Sequence, residues 1–253
     1  MPVPPSIQKS IKAFRAFIAR GGGEGKESFS AYALNLELFR NPGCILESEE
    51  TLDALLALAP EIEAYRGKGS QVIQKAFNQS LGSLLYHVRL EAFEASPAPD
   101  LFPDGSESPA PSASPPFWAE KLSDYFLARV QGKLVRSRLA GRLKFDAWMT
   151  LSELSHFCRR PAHLPLALET AADKRRLEVE REGAIQFLAA YWADEDPDKA
   201  TIDLLENLRL NPPNRDFLVS VLQARIELGL DDEMGALFDV EDWDDAEDEG
   251  EEE

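Results

Sequence analysis

Between Ser96 and Pro116 the chain places seven prolines in 21 residues, with serine, alanine and aspartate filling most of the rest. Proline has no backbone N–H and a fixed φ, so this stretch can sustain neither a helix nor a strand ladder, and it has too little apolar surface to bury. It reads as an extended linker. The lone apolar pair Leu101–Phe102 inside it is too small to anchor anything by itself. The expected organisation is therefore an N-terminal helical domain over 1–95, the linker over 96–116 and a C-terminal helical domain over 117–243. A disordered acidic tail over 244–253 completes it.

On the N-terminal side, Ile7, Ile11, Phe14 and Ile18 recur at helical spacing behind Ser6, which predicts a helix to Arg20. Gly21–Gly25 ends it. That glycine run precedes Lys26, but it lacks phosphate-loop spacing and follows a helix, so it reads as a plain loop. A second helix is expected over Phe29–Phe39, stopped by Asn41-Pro42-Gly43. A third opens at Ser48 with Glu49 and Glu50 placed for its dipole, and a continuation follows from Pro60 to Tyr65. Gln71 to Phe93 reads as a long helix with Ile73, Phe77, Leu81, Leu84 and Leu85 inward.

Past the linker, Trp118, Leu122, Phe126 and Val130 form one stripe. A basic cluster follows it: Arg129, Lys133, Arg136, Arg138, Arg142 and Lys144. Further helices are expected over Phe145–Phe157 and Leu164–Arg176. The next segment allows two readings. Leu177, Val179, Ile185 and Phe187 alternate as in a half-buried hairpin, which over 176–187 would make the wing of a winged-helix domain. The same residues carry Glu and Arg at favourable helical spacing and run without a break into Ala189, Ala190 and Trp192; the helix is the leading reading. The acids Asp194, Glu195, Asp196 and Asp198 around Pro197 are positioned to cap the helix that follows.

From Arg181 to Ala246 the chain has an internal period near 34 residues. Counted from Arg181, Phe187, Tyr191, Ala200, Leu204 and Pro212 fall at template positions 7, 11, 20, 24 and 32, and Gly229 falls at the second copy's first turn. The stretch resembles a degenerate tetratricopeptide-like array of helical hairpins. Leu188 and Leu222 replace the small residue of position 8, and Met234 replaces the alanine of position 20. The resemblance implies an all-α fold in which Ala200 lets helices approach, Pro212 stops one and Gly229 ends another. It also implies a concave groove lined by Glu182, Ile185, Ala189 and Trp192 from the first repeat and Asp216, Val219, Gln223 and Ile226 from the second. Gly141–Phe145 followed by Leu151–Leu154 is similar to a segment of the C-terminal helical domains of type VI secretion TssA-like proteins, over fewer than twenty residues.

Charge is distributed unevenly. The formal net charge of the chain is −18, and residues 183–253 alone sum to that value, so the acidity belongs to one end. Residues 117–182 are net +4. Cys44 and Cys158 are too far apart in sequence to suggest a metal pair, and the three histidines are scattered. There is no nucleophile elbow, zinc spacing or dinucleotide fingerprint. No enzyme, cofactor or metal is expected, and without an 18-residue apolar run no membrane span is expected either. The N-terminus lacks a signal peptide's apolar segment, and the expectation is a cytoplasmic protein.

The leading function is a non-enzymatic interaction protein, such as an adaptor, assembly factor or chaperone, taking a basic or amphipathic segment of another protein in its C-terminal groove. The alternative is nucleic-acid binding or regulation through the basic, winged-helix-like region at 118–187, modulated by the acidic tail. Oligomeric state is not legible in the sequence.

Overall fold

The structure, a computed structural model, describes residues 2–19, 45–65, Gly67, parts of 70–85, 115–132, 134–193 and 195–232. The expected helix over 29–39, the linker up to Ser114, Lys133 and the acidic tail lie outside the described residues. Three-quarters of what is described is helical, and no strand occurs among the described residues. The chain divides into two compact units, Met1–Tyr125 and Phe126–Glu253.

In the first unit, α1 spans Pro5–Ala19, α2 Glu49–Leu56 and α3 Ala59–Ala64. Ser48 caps α2 as its sequence predicts. Its Oγ accepts from the Thr51 N–H at 3.3 Å, and Glu49 and Glu50 occupy the positive first turn. Ile7, Ile11 and Phe14 of α1 are buried, as are Leu52, Leu55 and Ile62. Ile73, Phe77, Leu81, Leu84 and Leu85, expected inward on a helix, are also buried. The fourth helix, α4, spans Phe117–Val130, and the division between units falls inside it. Its first residues belong to the first unit: Lys121 pairs with Asp53 and with Glu49 (2.8 Å), and the Tyr125 hydroxyl donates to Asn78 at 2.7 Å.

The second unit holds α5 (Arg138–Ser155), a 3-10 turn (Pro161–His163), α6 (Leu164–Ala172), α7 (Glu178–Trp192), α8 (Lys199–Leu210) and α9 (Arg215–Glu227). Helix α5 starts seven residues before the expected Phe145, because Ser137 caps it by accepting from the Ala140 N–H at 3.1 Å. Three of the expected basic cluster are thereby placed on one helix.

Helix α7 is the centre of the unit, packing against α5, α6 and α9. Its buried residues, Glu180 to Tyr191, lie on several faces, as a helix enclosed by neighbours requires. Gly183 makes the α5 contact possible. A Cβ there would stand 3.0 Å from Trp148 Cβ and 3.2 Å from Phe145 Cα.

The wing hairpin over 176–187 is overturned by this helix. Arg176 and Glu180 form an ion pair four residues apart, Glu180 points inward to Lys144, and Gly183 is pressed on Trp148. A hairpin would pull all three contacts apart. The alternating Leu177 and Val179 instead seat against Gly141 of α5.

Several helix ends follow the sequence. Asp198 caps α8 by accepting from the Thr201 N–H at 2.8 Å, and α8 stops just before Asn211-Pro212. Gly229 takes φ +66° after α9 and donates its N–H to the Ile226 carbonyl. Helix α8 lies on α6 and α9, and Arg225 ties α9 to α8 through Glu206 (2.9 Å). Ala200 is exposed, so no helix approaches over it.

Candidate functional site

The eight residues expected to line a groove divide into two groups. Ile185 is 0% exposed and Ala189 1%, so both are core residues of α7 and closed to a partner. Helix α7 is covered by α5, α6 and α9 and has no free apolar face there. Trp192 is half-buried, its Nε1 donating to the Thr201 hydroxyl at 3.1 Å. Ile226 packs on Leu218 and Leu222.

The remaining four stay available. Asp216 and Gln223 are exposed on α9, Val219 between them is 48% exposed, and Glu182 is half-buried on α7. The fold brings Glu182 and Asp216, 34 residues apart, into one electrostatic neighbourhood. Burial holds the Glu182 carboxyl above the ordinary range, and the negative charges of Glu178 and Asp216 raise it further, with Arg142 and Arg181 opposing the shift. No ion pair engages Glu178, Glu182 or Asp216 among the described residues. Glu178 accepts instead from the Asn214 amide at 2.7 Å.

The basic cluster does not form one surface. Lys144 is buried, its Nζ 2.9 Å from the fully buried Glu180, which also takes Arg176. Arg129 is half-buried and desolvation lowers its guanidinium pKa. Arg142 stacks 4.4 Å over Phe145 and lies 3.5 Å from Asp146. Only Arg136 and Arg138 are exposed without an ion pair among the described residues of the cluster. The nucleic-acid reading thus loses both its hairpin and the continuity of its cations.

A feature the sequence does not announce lies at the start of α7. A cleft of about 660 Å³ opens there, walled by Arg138 at the start of α5, the 174–182 segment and the Asn211-Pro212-Pro213 turn. Its charged lining is mixed: Arg138, Lys174, Arg176 and Arg181 against Glu178 and Glu182. Arg176 is already committed to Glu180. Arg181 is 3% exposed, its Nε donates to the Ala171 carbonyl at 2.9 Å, and its guanidinium lies 4.4 Å over the Phe217 ring. Desolvation lowers its pKa, with nearby acids opposing the shift. Three segments far apart in sequence build this cleft, which is why periodicity cannot reveal it; the only local hints are the Lys174-Arg175-Arg176 turn and the Asn-Pro-Pro-Asn turn.

Among the described residues no group of three or more His, Cys, Asp or Glu is placed to hold a metal, and no helix is long and apolar enough to cross a membrane. No family model, no curated protein and no solved structure matches the chain.

Proposed function

We propose that the protein is a non-enzymatic interaction module that docks a basic, amphipathic segment of another protein across the exposed starts of α7 and α9. The observation that carries this is the convergence of Glu178, Glu182 and Asp216 without an ion-pair partner, beside the exposed Val219. Crowded carboxylates repel one another, and a lysine or arginine brought by a partner relieves that repulsion. Exposed ion pairs supply only about 0.2–1 kcal/mol each, so the acids select the partner while apolar contact at Val219 adds affinity. The reading rests on this surface and not on repeat ancestry, since Ala200 does not serve the close approach that the repeat template gives it.

A helix-forming peptide with Lys and Leu at helical spacing, labelled for fluorescence anisotropy, tests it. The intact protein should bind this probe, and the Glu182→Gln/Asp216→Asn double variant should bind about three- to thirtyfold more weakly. Equal affinity for the two proteins would remove the acidic strip as the docking surface.

A further inference from the structure

Two helices begin at the cleft, and the turn before a third lines it. Arg138 is the first residue of α5, Glu178 the first of α7, and Pro212-Pro213 lead directly into α9. Helix starts carry partial positive charge and unsatisfied N–H groups. In α5 and α9 a side chain answers: Ser137 accepts from the Ala140 N–H, and Asn214 accepts from the Phe217 N–H at 2.9 Å. In α7 the capping position is Leu177, whose side chain has no acceptor to offer. The N–H groups of Glu178 and Val179 accordingly have no acceptor among the described residues, and both residues line the cleft.

An independent feature points to the same place. Arg181 is nine-tenths buried and held rigidly by the Ala171 carbonyl and the Phe217 ring, yet its two terminal nitrogens have no hydrogen-bond partner among the described residues. Its buried guanidinium lines the cleft with no ion pair of its own. Those nitrogens keep contact with solvent through the cleft, and a planar guanidinium fork matches a carboxylate or phosphate face. At the mouth, Lys174 and Arg138 are exposed and likewise have no ion pair. Glu178 and Glu182 oppose an anion here, but Glu178 is held by the Asn214 amide and Glu182 already has its charge disfavoured.

We propose that the cleft is an oxyanion site, taking one carboxylate or phosphate group between the Glu178 and Val179 N–H groups and the terminal nitrogens of Arg181, with Lys174 and Arg138 completing the charge at the mouth. This goes beyond the docking function, because its ligand has the opposite sign. Two sources offer the chemistry: a free phosphate or carboxylate, or the chain's own residues 233–253, which hold twelve acids and no lysine or arginine.

The test is NMR of the full chain, following the backbone amides of Glu178 and Val179 and the Arg181 side-chain N–H during titration with inorganic phosphate, with sodium chloride matching ionic strength. A saturable shift at these groups is expected, weakened about fivefold by Lys174→Gln or by Arg138→Gln and lost in Arg181→Gln. The two exposed variants keep the test valid if Arg181→Gln fails to fold. Glu182→Gln should strengthen binding. A second protein, with the twelve acids of 233–253 changed to Asn and Gln, separates the sources. If phosphate acts only on that variant, the site stands and the chain's own acids fill it; if it acts on both, the ligand is external. If neither responds, or if the response ignores Lys174→Gln and Arg138→Gln, the site is refuted. None of these outcomes depends on whether a basic peptide binds the acidic strip.

Discussion

In the first unit the ion pairs sit in water: Arg15 and Glu61 meet at 2.7 Å with side chains 47% and 37% exposed, and Lys121 reaches Asp53 and Glu49 across open surface. In the second unit the corresponding contact is interior. Glu180 is wholly buried, receives Lys144 and Arg176, and so joins α5 to α7 in the interior of the unit. An exposed pair is solvated with or without its partner, whereas a buried carboxylate deprived of its cation has nothing to replace it. The contrast teaches that exposed ion pairs in this protein can be lost at little cost to the fold, while charge inside the second unit specifies how its central helix is set.

The sharpest way to break that contrast is to remove one member of each pair. Lys144→Ala should destabilise the protein by about 1.5–3 kcal/mol, because the buried Glu180 loses one charged hydrogen bond while keeping Arg176. Arg15→Ala should cost no more than about 1 kcal/mol. Urea unfolding of both variants reads the difference, and similar losses for the two would show that burial does not separate them.

A smaller effect is expected from Gly183→Val. The added carbons meet Trp148 Cβ and the Phe145 backbone, and overpacking of this kind costs about 1–3 kcal/mol, measured in the same denaturation experiment. An unchanged midpoint would mean that α5 and α7 have slack between them.

The smallest effect concerns pH. The Arg175 side chain, and then its N–H, hold the Asp173 carboxyl down from 3.8 to about 2. A depressed carboxyl adds stability that is complete above its unfolded value and fades as pH falls. Between pH 4 and pH 2, Asp173→Asn should therefore lose less stability than the unchanged protein. Parallel losses over that window would show that the Arg175 contact contributes nothing.

The same division explains what could be read from the chain. Helix ends are local chemistry, and Ser48, Asp198, Pro212 and Gly229 act where their residue types predict. The all-helical class follows from the apolar period. The segment around Glu180 allowed a second reading beside the leading helix, because Leu177, Val179, Ile185 and Phe187 also alternate as a strand would. The pairing of Glu180 with Lys144, 36 residues earlier, and the packing of Gly183 on Trp148 settle it. Ile185 and Ala189 were legible as a helical face, but which faces of α7 are covered depends on three other helices. Glu182 and Asp216 were named only among eight expected groove residues, and neither their proximity nor the cleft with Arg181 at its wall was legible, since these parts meet only in the folded unit.

Glu182 stands where the two proposed surfaces meet, and it gives the most direct test of the account. The affinities of the Glu182→Gln protein for the cationic peptide and for inorganic phosphate should be measured side by side with those of the unchanged chain. The account predicts opposite movements, with the peptide bound more weakly and phosphate more tightly. Both affinities unchanged, or both shifted in the same direction, would contradict it.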